Sequence, residues 1–432
     1  MEEKPTLQAP LKKAEKAENI ISQQPPPDDH PSSPVPKEDL TAWLQVLGAF
    51  CLNLNTWGLM NAFGVYQTFY KLDLLSSHSS SNISWIGSTQ AFLMFLTSVA
   101  AGPIFDAGHL SFLLWTGSLF TVLGMFLTSI CKVYYQCFLA QGVMMGLGFG
   151  LLYLPAPAIV SQFFHTRRAL AIGMSSVGSA LGGVVYPIVF TQLQPRIGFG
   201  WATRVIAFII LGTSIVPLLV MKSRTVASPW RTVLDATAFR DIPYILLNTG
   251  LLFGFMGLWV IFYYIQLYAL QRSSVSSELT SYLLVIINAA SLPGRLLPGF
   301  YADKVGSINV QTVVAASSAI LTFCLIAIRS TAGLIIYSLL YGFSAGAFMG
   351  LPAAGVARLS EDHSKIGIRL GMTLGFVGSG VLVSNPIAGA ILAGDGSWTG
   401  LIVWCGALLT ASTLSMAASR MVKVGYGLTK VI

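Results

Sequence analysis

Arg295 is the residue whose type and position in this sequence most clearly indicate chemistry. It lies in an apolar run, eight residues before Asp303, a separation of about 12 Å along a helix. A charge among apolar residues is costly unless a partner compensates it, and a guanidinium can bind an acidic group through two parallel hydrogen bonds. Arg295 is therefore a candidate binding residue. The alternative is a structural arginine that extends to a polar surface or pairs with Asp303.

The segments around Arg295 are too apolar for a soluble protein. Apolar residues make up 54% of the chain and charged residues 10%, whereas soluble domains carry about a quarter charged residues. Because a membrane-spanning helix needs roughly 20 apolar residues, we predict twelve transmembrane helices between residues 43 and 419. The predicted fold class is an all-α membrane protein, with the lipid bilayer as its main partner.

The predicted helices repeat halfway along the chain. Asp106 and Asp303 are 197 residues apart, and several glycines and prolines keep nearly the same offset, which indicates two pseudo-symmetric six-helix bundles. The offset pairs Arg295 with Ser98, so a role of Arg295 belongs to one half only. The predicted domains are a disordered cytosolic tail (1–40), the first bundle (41–221), a central cytosolic loop (222–241), the second bundle (242–420) and a cytosolic C-terminal tail (421–432).

Small residues at helical spacing predict how these helices pack. Gly142, Gly146 and Gly150 recur every four residues, and Gly178 and Gly182 do the same on the next predicted helix. Lipid supplies no hydrophobic drive for helix association, so membrane helices pack closely through small residues. We expect both stripes to contact neighbouring helices.

A polar and aromatic stripe lies on the first predicted helix. Asn53, Trp57 and Asn61 are four residues apart and therefore share a face. Amides at membrane depth need partners, which neighbouring helices or a wet cavity can supply. We interpret this stripe as cavity lining, with helix packing as the alternative.

Aromatic residues on later helices add further candidates. Tyr263 belongs to an aromatic group on the seventh predicted helix, and Phe343 lies on the tenth. Aromatic residues near helix ends often form a belt at the membrane interface. For Tyr263, this interpretation and a platform for a substrate are equally supported.

The basic residues exceed the acidic ones, 25 to 17, but they are scattered over the predicted connections. This pattern argues against a nucleic-acid partner. Their excess in alternate connections predicts that both termini are cytosolic. No catalytic nucleophile, metal cluster or phosphate loop stands out, so we expect neither an enzyme nor a bound metal or cofactor.

The duplicated unit, with matching Gly-x-x-x-Asp signals at the ends of helices two and eight, resembles the major facilitator superfamily. Residues 141–187 narrow the resemblance: a Gly-x-Gly-x-Gly run, a Pro-Ala-Pro run from Pro155 and a basic hinge at Arg167 and Arg168 are similar to the fungal monocarboxylate-porter-like branch. The resemblance covers about residues 40–425. It implies the major facilitator fold, alternating access and a substrate site between the halves near mid-membrane.

The resemblance also implies a role for Arg295, because members of this branch bind the substrate carboxylate with an arginine at this place. In animal members an acidic residue four positions earlier serves proton coupling, and here that residue is Ser291. A lysine of the first helix in those members aligns with Asn61. Whether protons are co-transported stays open. The candidate substrate-binding residues are Arg295, Asn61, Trp57, Asn53, Ser291, Tyr263 and Phe343.

A second group of residues is expected to gate the cytosolic side. By the family pattern, Asp106 pairs with helix eleven near Arg369, and Asp303 faces helix five beside Arg167 and Arg168. Carboxylates at such positions can pair with helix N-termini and with arginines. We expect these pairs to hold the outward-facing state closed. The alternative is that the charges only set the topology.

Three functions remain open. The main hypothesis is a monomeric transporter, secondary active or facilitative, that moves a small organic acid or carboxylate-bearing metabolite across the plasma membrane; export of a fungal secondary metabolite is one version of it. The second is an efflux carrier for a neutral or hydrophobic product, in which Arg295 is structural. The third is a non-transporting nutrient sensor, although the C-terminal tail is short for a signalling segment.

Overall fold

A computed structural model describes residues 39–164, 167–224, 234–273, 276–360, 362, 365–394 and 397–425, without the side chains of residues 168, 169, 277, 278, 300 and 303. Most of the two predicted tails, residues 1–38 and 426–432, therefore lies outside the described residues. The domain boundaries drawn from the sequence stay predictions.

The described chain is built from helices, which we number α1 to α12. The first half comprises α1–α6 and the second half α7–α12. In chain order they are α1 (residues 40–74), α2 (Ser80–Asp106), α3 (Leu110–Thr128), α4 (Tyr134–Phe163), α5 (residues 168–197), α6 (residues 199–220), α7 (Ile242–Arg272), α8 (Ser277–Val305), α9 (Ser307–Cys324), α10 (Thr331–Leu359), α11 (Ile366–Gly394) and α12 (Trp398–Val424), with a short 3₁₀ turn at Ala236–Arg240 before α7.

Helix α1 is irregular along its length. Its α-helical part Leu40–Asn53 leads into a π-helical turn, Leu54–Gly58, and a second π-helical turn, Tyr70–Leu74, ends the segment. Between them the ladder of hydrogen bonds is interrupted at Ala62. Such π-helical turns are rare in proteins, and those that occur often lie at functional sites.

The break between α5 and α6 falls at Gly198, where φ is 79° and ψ is 165°. A side chain would clash in this conformation, so glycine is the residue that can adopt it. The helical residues 168–220 therefore form two helices rather than one.

Ten helices of the described chain are long and apolar enough to cross a membrane. One of them, Leu170–Val220, includes the break at Gly198. Helix α1 is not among the ten, because its longest uninterrupted part, Leu40–Asn53, has only 14 residues. The all-α membrane class is thus confirmed, and the count of twelve crossings stays a prediction.

The predicted glycine stripes contact neighbouring helices, which confirms that prediction. A Cβ added at Gly146 on α4 would lie 2.9 Å from the carbonyl oxygen of Gln90 on α2, and one added at Gly182 on α5 would lie 2.7 Å from the Cα of Gly58 on α1. Real Cβ contacts are longer. The backbones approach this closely only because the side chains are absent.

Helices α5 and α8 form one contact between the two halves, and they run antiparallel. Gln192 donates a hydrogen bond of 2.6 Å to the hydroxyl of Tyr282, and Arg295 donates one to Ser179. From the contact at Ser179 to the contact at Gln192, residue numbers rise along α5 but fall along α8, from 295 to 282. The two helices therefore lie side by side across the boundary between the halves.

Helices α2 and α11 form the equivalent contact, as a duplicated unit requires. Ser81 donates a hydrogen bond of 2.8 Å to the carbonyl oxygen of Pro386, and further along the pair a Cβ at Gly378 would lie 3.0 Å from the Cβ of Phe95. This pair is also antiparallel. Both pairs together place the halves face to face.

We predict that Gly178→Ala lowers stability, because a Cβ there would overlap the carbonyl oxygen of Phe50 in α1. Overpacking of this kind costs about 1–3 kcal/mol. Gly212→Ala is the matched control, since a Cβ at Gly212 meets nothing within 4 Å and alanine favours a helix over glycine by about 1 kcal/mol. Thermal unfolding in detergent should show a lower midpoint for the first variant only; equal midpoints would contradict the close contact.

Candidate functional site

A cavity of about 470 Å³ lies between the two halves. Aromatic side chains from α1, α2, α4 and α7 line it, namely Trp57, Phe95, Tyr153 and Phe255. Helix α5 contributes a row of hydroxyl groups, and α8 contributes one cation. The hydroxyl groups and the cation belong to Ser175, Ser176, Ser179 and Arg295.

The cavity extends toward the side of the molecule on which α1 begins and α12 ends, which we call the terminal side. Its lining includes Pro157 in the last turns of α4, Gly173 near the start of α5, Pro352 in the final part of α10 and Leu370 near the start of α11. These helix ends all lie on the terminal side. The cavity therefore reaches toward the connections α4–α5 and α10–α11.

Direct contacts join the halves on the opposite side. The hydroxyls of Ser84 on α2 and Tyr264 on α7 are 2.5 Å apart, and Ser84 also accepts a hydrogen bond of 3.1 Å from Gln67 on α1. The hydrogen bond from Ser81 to Pro386 lies in the same layer. The halves are thus closed together on this side by neutral groups.

Arg295 lies on the cavity without an acidic partner. One terminal nitrogen donates to Ser179 Oγ, the other lies 3.6 Å from the sulfur of Met349, and Nε is buried with no hydrogen-bond partner. Among the carboxylates that the structure describes, none forms an ion pair with this guanidinium. The predicted alternative of a pair with Asp303 involves a side chain outside the described residues.

Two other predicted binding residues also line the cavity. Asn53 donates hydrogen bonds of 3.0 Å to Ala49 within its own helix and 3.2 Å to Ser175 on α5, so it packs α1 against α5 as well as facing the cavity. Trp57 lies with its ring centroid 5.5 Å from that of Tyr153. The sequence left cavity lining and helix packing as alternatives for this stripe, and Asn53 does both.

The remaining four predicted binding residues do not line the cavity. Asn61 is 1% exposed, and neither of its amide atoms has a partner. Ser291 donates its hydroxyl to Asn288 in its own helix. Tyr263 packs on Phe63 at a ring separation of 4.9 Å, and Phe343 faces outward with 40% of its surface exposed.

Several lining residues were not identified from the sequence. Ser175 and Ser176 on α5 precede Ser179 by four and three residues, and Tyr153 belongs to α4. Helical spacing could have grouped the serines on one face, but such a face equally suits close helix packing. Their position on the cavity follows only from the way α5 meets α8.

The gating group has a different arrangement from the predicted one. Arg369 forms ion pairs of 3.2 Å with Asp235 and 2.8 Å with Asp241, two residues of the central connection, and not with Asp106. The side chains of Arg168 and Asp303 lie outside the described residues, whereas Asp106 and Arg167 are described and each has an interaction of its own. The gating role was predicted for the outward-facing state, so it stays a prediction.

Asp235, the first of the two carboxylates that pair with Arg369, has several further partners. It accepts hydrogen bonds of 2.6 Å from the hydroxyl and 3.1 Å from the backbone N–H of Thr237. These bonds, the Arg369 guanidinium and nearby Lys365 lower the pKa of Asp235 to about 2, against the opposing effect of burial. The carboxylate is therefore charged at all physiological pH values.

We predict that Asp235→Asn lowers the thermal unfolding midpoint by the same amount at every pH between 5 and 8. An ordinary Asp has a pKa of about 3.9, so the lowered pKa stabilises the folded state above about pH 4, and this contribution is lost as the pH falls toward 2. The difference from the unchanged protein should shrink only in that acidic range. Lys365→Gln, which removes the more exposed partner at 3.5 Å, should change the midpoint little. A difference that varied between pH 5 and 8 would contradict this assignment.

The architecture defines the class of protein. Ten candidate membrane spans, halves joined by equivalent helix pairs and a cavity between them are the organisation of a membrane transporter built from two repeated halves. The fold is similar to that of solved structures of a mutant of the peptide transporter POT. The structure of that mutant in complex with sulfate aligns with a TM-score of 0.71 and 12% identity, covering 88% of this chain and 94% of that chain. At this identity the likeness concerns the fold alone.

Residues 45–355 match the model of the Major Facilitator Superfamily, and the chain belongs to this family. Its relatives include the MFS-type transporter dbaD of Emericella nidulans, 44% identical over 85% of this chain and 83% of the relative. Others are the MFS-type transporter pynF of Aspergillus niger (38%; 91% and 92% covered) and the Aspyridones efflux protein apdF of Emericella nidulans (35%; 97% and 86% covered). The relatives are fungal transporters of this superfamily, and their names do not specify monocarboxylate porters.

Proposed function

We propose that this protein exports an acidic, largely apolar metabolite across the plasma membrane of a fungal cell, with Arg295 as the anchor for the acid group. The observation that carries the proposal is a guanidinium on a largely apolar and aromatic cavity, without a carboxylate partner among the described residues. The cargo supplies the missing negative charge.

The unused hydrogen-bonding capacity of Arg295 supports this assignment. The side chain is half-buried at the edge of the cavity, and its Nε has no hydrogen-bond partner within the described protein. A bound carboxylate would accept two parallel hydrogen bonds from the guanidinium, and an ionised acidic hydroxyl would accept hydrogen bonds at its single oxygen. One cation suits one negative charge, so a multiply charged cargo fits this cavity poorly.

The size and lining of the cavity indicate a cargo larger than a three-carbon acid. Cavities of about 300–1,000 Å³ hold ligands of drug size, and this one has about 470 Å³. Trp57, Phe95, Tyr153 and Phe255 offer flat apolar faces. Such faces favour an aromatic or polyketide-type body attached to the acid group.

The direction of transport is proposed from the relatives, one of which is named for the efflux of aspyridones. The cavity reaches toward the terminal side, which the distribution of basic residues predicts to be cytosolic. In an exporter this would be the loading state. The carrier acts as a monomer in this proposal. Any proton that is transported with the cargo is carried by the cargo's own acid group.

The second candidate function is export of a neutral product. The hydrogen bond from Arg295 to Ser179 favours it, because this bond already gives the guanidinium one partner within the protein. In that case Arg295 joins α5 to α8 and does not contact the cargo.

Transport by Arg295→Ala separates the two functions. For an aromatic polyketide-type acid in proteoliposomes, we expect the variant to raise KM about tenfold to a hundredfold, because hydrogen bonds to charged groups contribute about 1.5–3 kcal/mol. Transport of the methyl ester of the same acid should change little. The measurement is initial uptake with and without a pH gradient, and lactate serves as a small-acid comparison.

Phe343→Leu is the matched control, because this side chain faces outward and does not line the cavity. It should transport the acid as the unchanged protein does. An Arg295→Ala variant that is folded and transports the acid with an unchanged KM would refute the acid-anchor proposal and favour the neutral cargo.

A further inference from the structure

We propose that Ser179 is a positioning residue that occupies Arg295 in the empty carrier and is displaced by the acid group of the cargo. This inference rests on the proposed function. The displacement of Ser179 would link binding of the acid group to the separation of the two halves.

The hydrogen bonds of Ser179 fix its role toward Arg295. A serine hydroxyl has one proton to donate and can accept in addition. Ser179 donates that proton to the carbonyl oxygen of Ser176 in its own helix, at 2.5 Å. It therefore meets the guanidinium as an acceptor, which is the role that a carboxylate oxygen of a cargo would take.

The bond between Ser179 and Arg295 crosses from one half to the other at the edge of the cavity. Ser179 lies on α5 and Arg295 on α8, and both line the cavity. Deeper along the same helix pair, a Cβ at Gly183 would overlap the amide of Asn288. Close packing at Gly183 thus separates the bond beside the cavity from the hydrogen bond between Gln192 and Tyr282 further along the pair.

The equivalent helix pair has no such bond. The repeat pairs Arg295 with Ser98 on α2 at the offset of 197; at the offset of 198 that Gly182 and Gly380 keep, it pairs Ser179 with Val377 on α11. Ser98 donates to Met94 in its own helix, and Val377 has no polar side-chain atom. In the described part of the chain, the polar crossing at this depth is thus specific to α5 and α8.

Displacement follows from the relative strength of the two acceptors. The bond from Arg295 to Ser179 has one charged partner, whereas an acid group brings a second, opposite charge and can accept two parallel hydrogen bonds from the guanidinium. In the proposed step, an acid group that binds both terminal nitrogens of Arg295 replaces Ser179 and removes the bond that joins α5 to α8 beside the cavity. A cargo without an acid group leaves that bond in place. The acid therefore favours separation of the halves at this pair, which is the differential interaction that a ligand needs in order to shift a conformational equilibrium.

Binding to the full-length protein in detergent tests this inference. The probe is an aromatic polyketide-type acid that the protein transports, with its methyl ester for comparison. Ser179→Ala removes the competing acceptor, so we expect the acid to bind roughly tenfold more tightly, the value of one hydrogen bond to a charged group. Affinity for the ester should not change.

Two further variants separate displacement from a merely structural effect. In an Arg295→Ala background, Ser179→Ala should have no additional effect on acid binding, because the two residues act through one interaction. Ser379→Ala is the matched control: Ser379 also donates to a carbonyl three residues earlier in its helix but is exposed and lies away from the cavity. It should leave the acid affinity unchanged.

The outcomes distinguish the inference from the proposed function. Unchanged or weaker acid binding in Ser179→Ala, together with weaker binding in Arg295→Ala, overturns the displacement and leaves the acid anchor in place. Unchanged acid binding in Arg295→Ala overturns the proposed function and, with it, this inference. Tighter acid binding in Ser179→Ala that disappears in the double variant supports both.

Discussion

A guanidinium with no acidic partner among the described residues, held at the boundary between two apolar bundles, is the feature on which the proposed function depends. The protein satisfies its hydrogen-bonding capacity only in part, through the hydroxyl of Ser179 and the sulfur of Met349. The remaining binding capacity of Arg295 points to a ligand of opposite charge. The apolar and aromatic walls of the cavity then limit that ligand to one acid group on a largely apolar body.

The scaffold packs closely both within the halves and between them. Within each bundle, glycines such as Gly146 and Gly182 allow backbones to touch. Between the bundles, opposite the terminal side, Gly64 and Gly389 allow equally close contact with α7 and α2, beside neutral hydrogen bonds such as that between Ser84 and Tyr264. Each neutral hydrogen bond contributes only about 0.5–1.5 kcal/mol net. Separation of the halves on this side therefore opens a packed surface as well as breaking these bonds.

The membrane helices and their division into two halves could be predicted from the sequence, because composition, the length of apolar runs and the repeat of 197 residues can all be read without knowing which helices touch. The glycine stripes and the position of Arg295 within an apolar helix are of this kind. The partners of Arg369 could not be predicted, since Asp235 and Asp241 reach it only through the path of the central connection. The outward direction of Phe343 was missed because helical spacing groups residues on a face without telling which helix that face meets.

A structure of the carrier with a transported acid bound tests the central claim most directly. We expect an anionic oxygen of the cargo about 2.8 Å from a terminal nitrogen of Arg295, with the aromatic body between Trp57 and Phe255 and the hydroxyl of Ser179 no longer bonded to the guanidinium. A bound acid whose charged group lies elsewhere, with the contact between Arg295 and Ser179 intact, would contradict it.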